Sequence, residues 1–331
     1  MSHPGDARYA DMYRANSRVV ELATEDDEEL GPFKKLPGKW GNTERLKGRG
    51  WNMIALPFVA QSGVLDYRLL VNRFDEEITF SLVDKRVPNR GVDRPDRANT
   101  DQLVVTLDYE QMIAQSDADD MPSSGLAGGG DLAIHHEPGL FLNMGEPRTN
   151  GISIARLASV PHGDSALGLG RVFETDRPAF IDDISGLPIG VNQDLDSPYL
   201  APYRHYHDNP FLGLFDPVRP NQLLNALPQN VVKNTVLQFD TKLAEAGIHN
   251  IPFIERQADA SEMTSTFWIL ELDGDGVDEP NLLLAYTQTV MLEFFDRRDG
   301  VEGLIKWPHV SINVMEKLPD AEYDAVPRMP V

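Results

Sequence analysis

The chain has 331 residues, a formal net charge of −22 and no cysteine. Its length fits one large domain or two of ordinary size, and a hydrophobic content of 41% is typical of a globular protein. The excess of carboxylates argues against nucleic acids and anionic membrane surfaces as partners, because their phosphate groups would be repelled. The absence of cysteine excludes disulfides, thiolate-bound metals and iron–sulfur clusters.

The two ends of the chain are polar. Residues 1–35 include an acidic run from Glu25 to Glu29, and we expect a lead-in segment there. Residues 319–331 are expected to form a C-terminal tail. The sequence has no apolar run of the length that a signal peptide or a membrane-spanning helix requires. We therefore expect a cytoplasmic protein.

The segment between these ends, residues 36–318, has the pattern of a β protein. Short runs of β-branched and aromatic residues alternate with Gly, Pro, Asn and Asp, and most are not separated by a helix-length connection. This spacing predicts a mainly β fold, an antiparallel meander closed into a barrel. The predicted strands are Trp51–Phe58, Ile78–Val83, Leu103–Tyr109, Leu132–Met144, Ile152–Val160, Ala166–Glu174, Thr264–Leu272, Leu282–Leu292 and His309–Leu318.

Two segments interrupt the strand pattern. Residues 115–131, rich in Gly and Asp, predict a loop. Residues 175–260, rich in Pro and Asn, predict a partly helical insertion that covers one mouth or side of the barrel. Within it we expect helices at about 219–227 and from Val232 to Ala246, the second ended by Gly247.

Histidines supply the main candidates for chemistry, because the sequence lacks the motifs of serine hydrolases, zinc proteases and phosphate-binding loops. His135 and His136 lie in a predicted strand, His162 lies between two strands, and His309 opens the last strand. Each histidine taken alone is most simply a structural side chain. Three such neighbourhoods in a barrel without cysteine favour haem, which imidazole ligates well.

Strand alternation places His309 on the polar face of its strand, with Ser311 and Asn313. Two interpretations follow. The face is turned outward and His309 is solvated, or the face lines a ligand pocket of small polar groups.

Several of these segments resemble the nitrobindin-like haem-binding β-barrels, in particular a longer bacterial branch of that family. The resemblance rests on Leu36-Pro-Gly-Lys-Trp40 with the glycines that follow, on Ile134-His-His-Glu-Pro-Gly139 entering an E-x-G-aromatic turn, and on Trp307-Pro-His309 before the final strand. It covers 36–174 and 262–318 as scattered motifs. The chain departs from the family in its length and in the insertion at 175–260.

The resemblance implies a lipocalin- or nitrobindin-like barrel that binds haem b. A late histidine is the proximal ligand in that family, and His309 matches its position. His162 is then expected to act as the catalytic hydrogen-bond donor. The haem pocket is expected to be lined by His135, His136, Trp307 and Met144.

An open sixth position would bind NO, O₂ or peroxide. Peroxynitrite isomerisation or peroxidase-like chemistry is implied, and whether the protein is an enzyme stays open. Two other classes stay open as well: a lipocalin-like carrier of a small apolar ligand such as a fatty acid, without metal, and an interaction protein whose acidic face binds a basic partner. A homodimer is an alternative to the insertion as the cover of exposed strand edges.

Overall fold

The structure is a computed structural model that describes residues 24, 26–46, 49–61, 63–92, 98–145, 151–160, 162–274 and 281–319. Most of the lead-in at 1–35 and of the tail at 319–331 lies outside these residues. The described strands are β1 Gly38–Gly41, β2 Gly50–Pro57, β3 Tyr67–Val92, β4 Asn99–Met121, β5 Leu132–Asn143, β6 Ile154–Val160, β7 Asp164–Thr175, β8 Val231–Asp240, β9 Gly247–Asn250, β10 Asp259–Leu272, β11 Leu282–Asp296 and β12 Leu304–Lys317.

Ten of these strands form a closed antiparallel barrel, which confirms the predicted fold class. Strands β2 to β8 and β10 to β12 pair in the order of the chain, and β12 pairs with β2, where Ser311 lies opposite Asn52. The short strand β1 fills the gap between β12 and β3 nearer the other end, and β9 adds to β7. Because the barrel closes on itself, exposed strand edges no longer give a reason to expect a dimer.

The prediction of a helix from Val232 to Ala246 is wrong, because this segment contains the barrel strand β8. Its inward residues Leu237 and Phe239 are buried, and β8 pairs with β7 on one side and β10 on the other. Tertiary burial and strand pairing here override the helical spacing. The segment that leaves the barrel is therefore residues 176–230, shorter than the expected 175–260.

The covering segment, residues 176–230, contains little helix. It forms α1 at Ala201–Asp208, preceded by a 3-10 turn at Pro198–Leu200, and a 3-10 helix at Gln222–Ala226 in the place of the helix predicted at 219–227. A second short helix, α2 at Pro252–Gln257, follows β9.

The predicted loop at 115–131 is also shorter than expected, because β4 continues to Met121. The acidic residues of this stretch extend the strand, since they have partners across it on β3. Arg73 Nε donates to Asp117 Oδ2 at 3.0 Å, and Arg68 pairs with Asp120.

Two apolar cores lie on opposite faces of the sheet. The inner core fills one end of the barrel with aromatic rings, among them Phe80, Phe141 and Phe267. A 3-10 helix at Glu28–Phe33 contributes buried residues to this end and closes it.

The outer core lies between the covering segment and the outside of the barrel. Trp51 on β2 stacks on Phe215 with ring centroids 5.7 Å apart, and Tyr203 of α1 is fully buried in the same cluster. Among the described residues, no helix has the length and apolar character needed to cross a membrane.

Candidate functional site

The polar face of β12 points into the barrel. Tyr286 Oη on β11 donates to Oε2 of Glu76 on β3 at 2.7 Å, and Asn313 Nδ2 donates to the same oxygen at 2.8 Å. These bonds cross the barrel interior, so His309 and Ser311, which alternate with Asn313, face the interior as well. Of the two interpretations left open by the sequence, the outward solvated face is excluded.

His309 presents a neutral imidazole with a defined tautomer. Its Nε2 lies 2.8 Å from Oδ1 of Asn52, and Ser311 Oγ donates to the same oxygen at 2.8 Å. Burial lowers the pKa of His309 to about 3, and the charges of His135 and His162 lower it further in the same direction. A neutral ring carries one proton, and an amide oxygen requires that proton on Nε2. The lone pair of His309 is therefore on Nδ1.

The imidazole of His309 is largely enclosed and keeps some accessible surface. The residue lies deep in the protein, since burial is the main cause of its lowered pKa, yet part of its surface is accessible. Val290 is the Cα partner of His309 on β11. Ile54 and Leu70 lie on the inner faces of β2 and β3, where they alternate with Asn52 and Asn72. The side chains of Val290, Ile54 and Leu70 are likewise partly accessible. His309 therefore has apolar neighbours that, like the ring itself, are not completely buried.

Three of the predicted histidines come together at this end of the barrel. The rings of His135 and His162 lie 5.5 Å apart, with His135 on β5 and His162 in the exposed turn between β6 and β7. Both interact electrostatically with His309. Burial lowers the pKa of His162, and the charge of His135 lowers it further. At neutral pH, His162 is therefore a neutral ring that can donate and accept one hydrogen bond.

His135 contacts the buried ion pair of Glu137 with Arg156. Nε2 of His135 lies 3.2 Å from Oε2 of Glu137, and Arg156 Nη2 donates to Oε1 of Glu137 at 2.7 Å. Burial alone would raise the pKa of Glu137, but Arg156 and His135 together lower it to about 2. An ionised Glu137 accepts the proton on Nε2 of His135 and thereby fixes the orientation of this ring.

Arg156 extends this network across the barrel. Its Nη1 donates to Gln288 Oε1 at 2.6 Å and to Ser265 Oγ at 3.1 Å, and its Nε donates to Tyr109 Oη at 3.1 Å. Tyr109 in turn donates to Glu137. The layer beneath the histidines is thus filled with mutually satisfied polar groups.

Gly139 makes room for this network. A Cβ atom at this position would lie 2.1 Å from the carbonyl oxygen of Leu157 and 2.5 Å from the ring of Tyr109. The sequence Glu137-Pro-Gly139-Leu-Phe141 is therefore not a turn, as the resemblance suggested, but part of β5. This stretch of β5 supplies the ionised carboxylate of Glu137, the space beside Gly139 that the ring of Tyr109 occupies, and the side chain of Phe141 in the inner core.

The other predicted pocket residues lie elsewhere. His136 is on the outer face of β5, half exposed, with Nε2 2.9 Å from Glu110 Oε1. Met144 follows the end of β5, roughly 30 Å from His135 at about 3.3 Å per residue, beside the closed end of the barrel. Trp307 is buried, stacks on Phe294 at 4.8 Å and packs against Tyr67 at 4.4 Å. The structure does not bring His136 or Met144 to His309.

The donor that this site offers to a metal-containing group is the imidazole of His309. Within the described residues, no group of three or more His, Asp and Glu side chains is arranged to hold a metal. A haem supplies four ligands of its own and needs one neutral imidazole from the protein. His309 is such an imidazole, and its Nε2–H bond to Asn52 is the kind of outer contact that orients a ligating histidine.

Sequence reasoning missed Asn52, Glu137, Arg156 and Glu76 as parts of the site. Glu76 is fully enclosed, and burial raises its pKa although hydrogen bonds from Asn313, Tyr286 and Gln111 oppose the shift. A signal was present in the strands, because polar residues alternate with apolar ones in β2 and β3. In these strands the polar face is inside the barrel and the apolar face is under the covering segment.

The fold and site define a closed ten-strand antiparallel β-barrel with a histidine-lined inner end. No protein-family model matches the chain. No curated protein matches it either. Among solved structures, the chain is similar to Rv2717c from M. tuberculosis, with 13% identity over 90% of this chain and 100% of that chain and a TM-score of 0.38. Similarity at this level carries no argument about function.

Proposed function

We propose that the protein binds haem b at the histidine-lined end of the barrel, with His309 as the axial ligand. The observation that carries this proposal is the neutral imidazole of His309, which is largely enclosed, keeps some accessible surface and has Asn52 as the acceptor of its Nε2 proton. A ligating histidine needs these same two properties: a free lone pair and an outer partner that fixes the other nitrogen.

The filling of the barrel favours haem over a fatty-acid carrier. Beneath the histidines lie the ion pair of Glu137 with Arg156 and then the aromatic inner core, so a long apolar chain has no path down the barrel. Placing such a chain against Arg156 would break hydrogen bonds that no apolar ligand can replace. A flat group held beside the histidines would leave this network intact.

Haem bound through one imidazole supplies an open coordination position for a small ligand such as NO, O₂ or peroxide. His162 and His135 are the hydrogen-bonding groups that this end of the barrel would offer to such a ligand. His135 is held by Glu137, whereas His162 lies in an exposed turn. If the protein is an enzyme, we propose peroxide or peroxynitrite as its substrate, with His162 as the group that transfers a proton.

A hemin titration followed by absorption spectroscopy tests the proposal, with the purified protein compared with His309→Ala and with the matched control His136→Ala. We expect the native chain and His136→Ala to give the same Soret change. His309→Ala should weaken hemin binding by more than the roughly 10–100-fold that loss of an outer partner costs. Equal binding by all three proteins would overturn His309 as the ligand. No Soret change with the native chain, together with saturable binding of a fatty acid, would favour the carrier.

A further inference from the structure

A groove on the outside of the barrel, which shares no residue with the histidine site, has the features of a ligand site. It has a volume of about 560 Å³, within the usual range for small-molecule sites. The outer faces of β7, β8, β10 and β11 form its floor, and the covering segment near Phe180 forms one wall.

Two buried polar atoms in the lining of the groove have no partner. Oδ1 of Asn234 and Oγ1 of Thr287 make no hydrogen bond, although Asn234 is 1% exposed and Thr287 is 8% exposed. The amide nitrogen of Asn234 is already used, since it donates to the carbonyl oxygen of Arg177 at 3.3 Å. A buried acceptor without a donor is costly, so the floor of this groove is suited to a ligand that donates a hydrogen bond to it.

The rest of the lining defines the chemistry of that ligand. Five threonines line the groove, and four of them form a square on adjacent strands, Thr264 opposite Thr289 and Thr266 opposite Thr287. Hydroxyl groups of this kind both donate and accept hydrogen bonds, as a polyhydroxylated ligand would require. A lipid chain would instead need an unbroken apolar wall.

Two phenylalanine rings and two side chains of opposite charge also line the groove. Phe173 and Phe180 border the groove and are 50% and 77% exposed. Exposed rings of this kind can cover the apolar C–H face of a sugar ring. The charged side chains of the lining are Arg177 and Asp182, one of each sign, so the groove has no surplus charge to attract an ion.

We propose that this groove binds a neutral mono- or disaccharide, with ring hydroxyls bonded to Asn234 and Thr287 and the sugar face against Phe180. The site is independent of haem and of His309.

Saturation-transfer NMR and calorimetry with glucose, maltose and cellobiose, at concentrations up to the millimolar range, test this proposal on the full chain. Thr287→Val removes a hydroxyl that has no protein partner, so it should preserve or raise the melting temperature while weakening binding about tenfold, the equivalent of one hydrogen bond. Phe180→Ala changes an exposed side chain and should weaken binding without unfolding the protein. Thr79→Val, on the outer face of β3 away from the groove, is the matched control and should bind as the native chain does.

Binding of any of the three sugars that both groove variants weaken and the control does not would support the proposal. Two results would overturn it. One is no binding of any sugar while Thr287→Val merely raises the melting temperature, which would mean that water satisfies the two atoms. The other is sugar binding that the groove variants leave unchanged.

Discussion

Nε2–H of His309 donates to Oδ1 of Asn52 at 2.8 Å, and this contact links the last strand of the barrel to its first full-length strand. Asn52 and Ser311 are Cα partners, so the pairing of β2 with β12 places the acceptor beside the ring. The closure of the barrel and the tautomer of His309 therefore depend on the same pair of strands. A ligating nitrogen, Nδ1, is prepared by the fold before any ligand binds.

Asn52→Leu is expected to release this tautomer. Leucine is similar to asparagine in size but has no hydrogen-bond acceptor. The ¹⁵N chemical shifts of His309 in the protein without haem should therefore change from those of the Nε2–H form to those of a mixture of the two neutral forms. Asn72→Leu is the matched control, because Asn72 is the Cα partner of Asn52 on β3 but its Nδ2 donates to Gln115 Oε1. Unchanged His309 shifts in Asn52→Leu would contradict the assigned role of Asn52.

The folding stability should fall as the pH is lowered below about 6.5. The pKa of His309 is about 3 in the folded protein and about 6.5 in the unfolded chain, so between these values the unfolded chain binds more protons. The loss amounts to at most about 1.4 kcal/mol per pH unit for this one group. His309→Gln should remove it from the pH profile of urea unfolding between pH 7 and 5, while His136→Gln should not.

A pH profile of His309→Gln that stays parallel to that of the native chain in this window would show that the ring is not held neutral. Glu137 contributes to a different window, since its lowered pKa makes its stabilisation present above about pH 4.5 and lost only as the pH falls towards 2.

Arg156→Met should destabilise the barrel strongly, by about 3–5 kcal/mol, because it leaves the carboxylate of Glu137 charged and buried without its main partner. Adding Glu137→Gln should recover part of the loss, since the remaining group is then neutral. Urea unfolding measures both changes. Arg204→Met removes an exposed ion pair with Asp196 and should cost less than about 1 kcal/mol; similar costs for the two arginine variants would argue against the buried network.

Gly139→Ala should destabilise the protein by about 1–3 kcal/mol through overpacking, because the added methyl group meets the backbone of Leu157 and the ring of Tyr109. Gly247→Ala is a useful control, since no atom lies within 4 Å of a Cβ placed there. Thermal unfolding compares the two variants. A Gly139→Ala melting temperature equal to that of the control would contradict the close packing of β5.

The sequence was sufficient to predict the barrel and nine of its ten strands, because turn residues separate runs with clear β character. It did not predict β8, whose residues Val231–Asp240 also fit a helical spacing and become a strand only through pairing with β7 and β10. The end of β4 was missed because Asp117 and Asp120 resemble loop residues until their arginine partners on β3 are known.

The candidate site was partly predictable in the same sense. Strand position singled out His135, His162 and His309, which the structure brings together, whereas His136, expected in the same pocket, lies on the outer face of β5. The contacts of the candidate site join strands that are distant in the chain: Asn52 lies 257 residues from His309, and Arg156 lies 132 residues from Gln288. No local pattern encodes such contacts, because they depend on which strands become neighbours when the barrel closes.

Imidazole rescue of His309→Gly tests the central claim most directly. The substitution opens a space at the position of the ligand while Asn52 and Ser311 stay in place. We predict that this variant binds hemin weakly, and that added imidazole restores the Soret spectrum of the native protein. Hemin binding by His309→Gly that is as strong as in the native chain and indifferent to imidazole would contradict it.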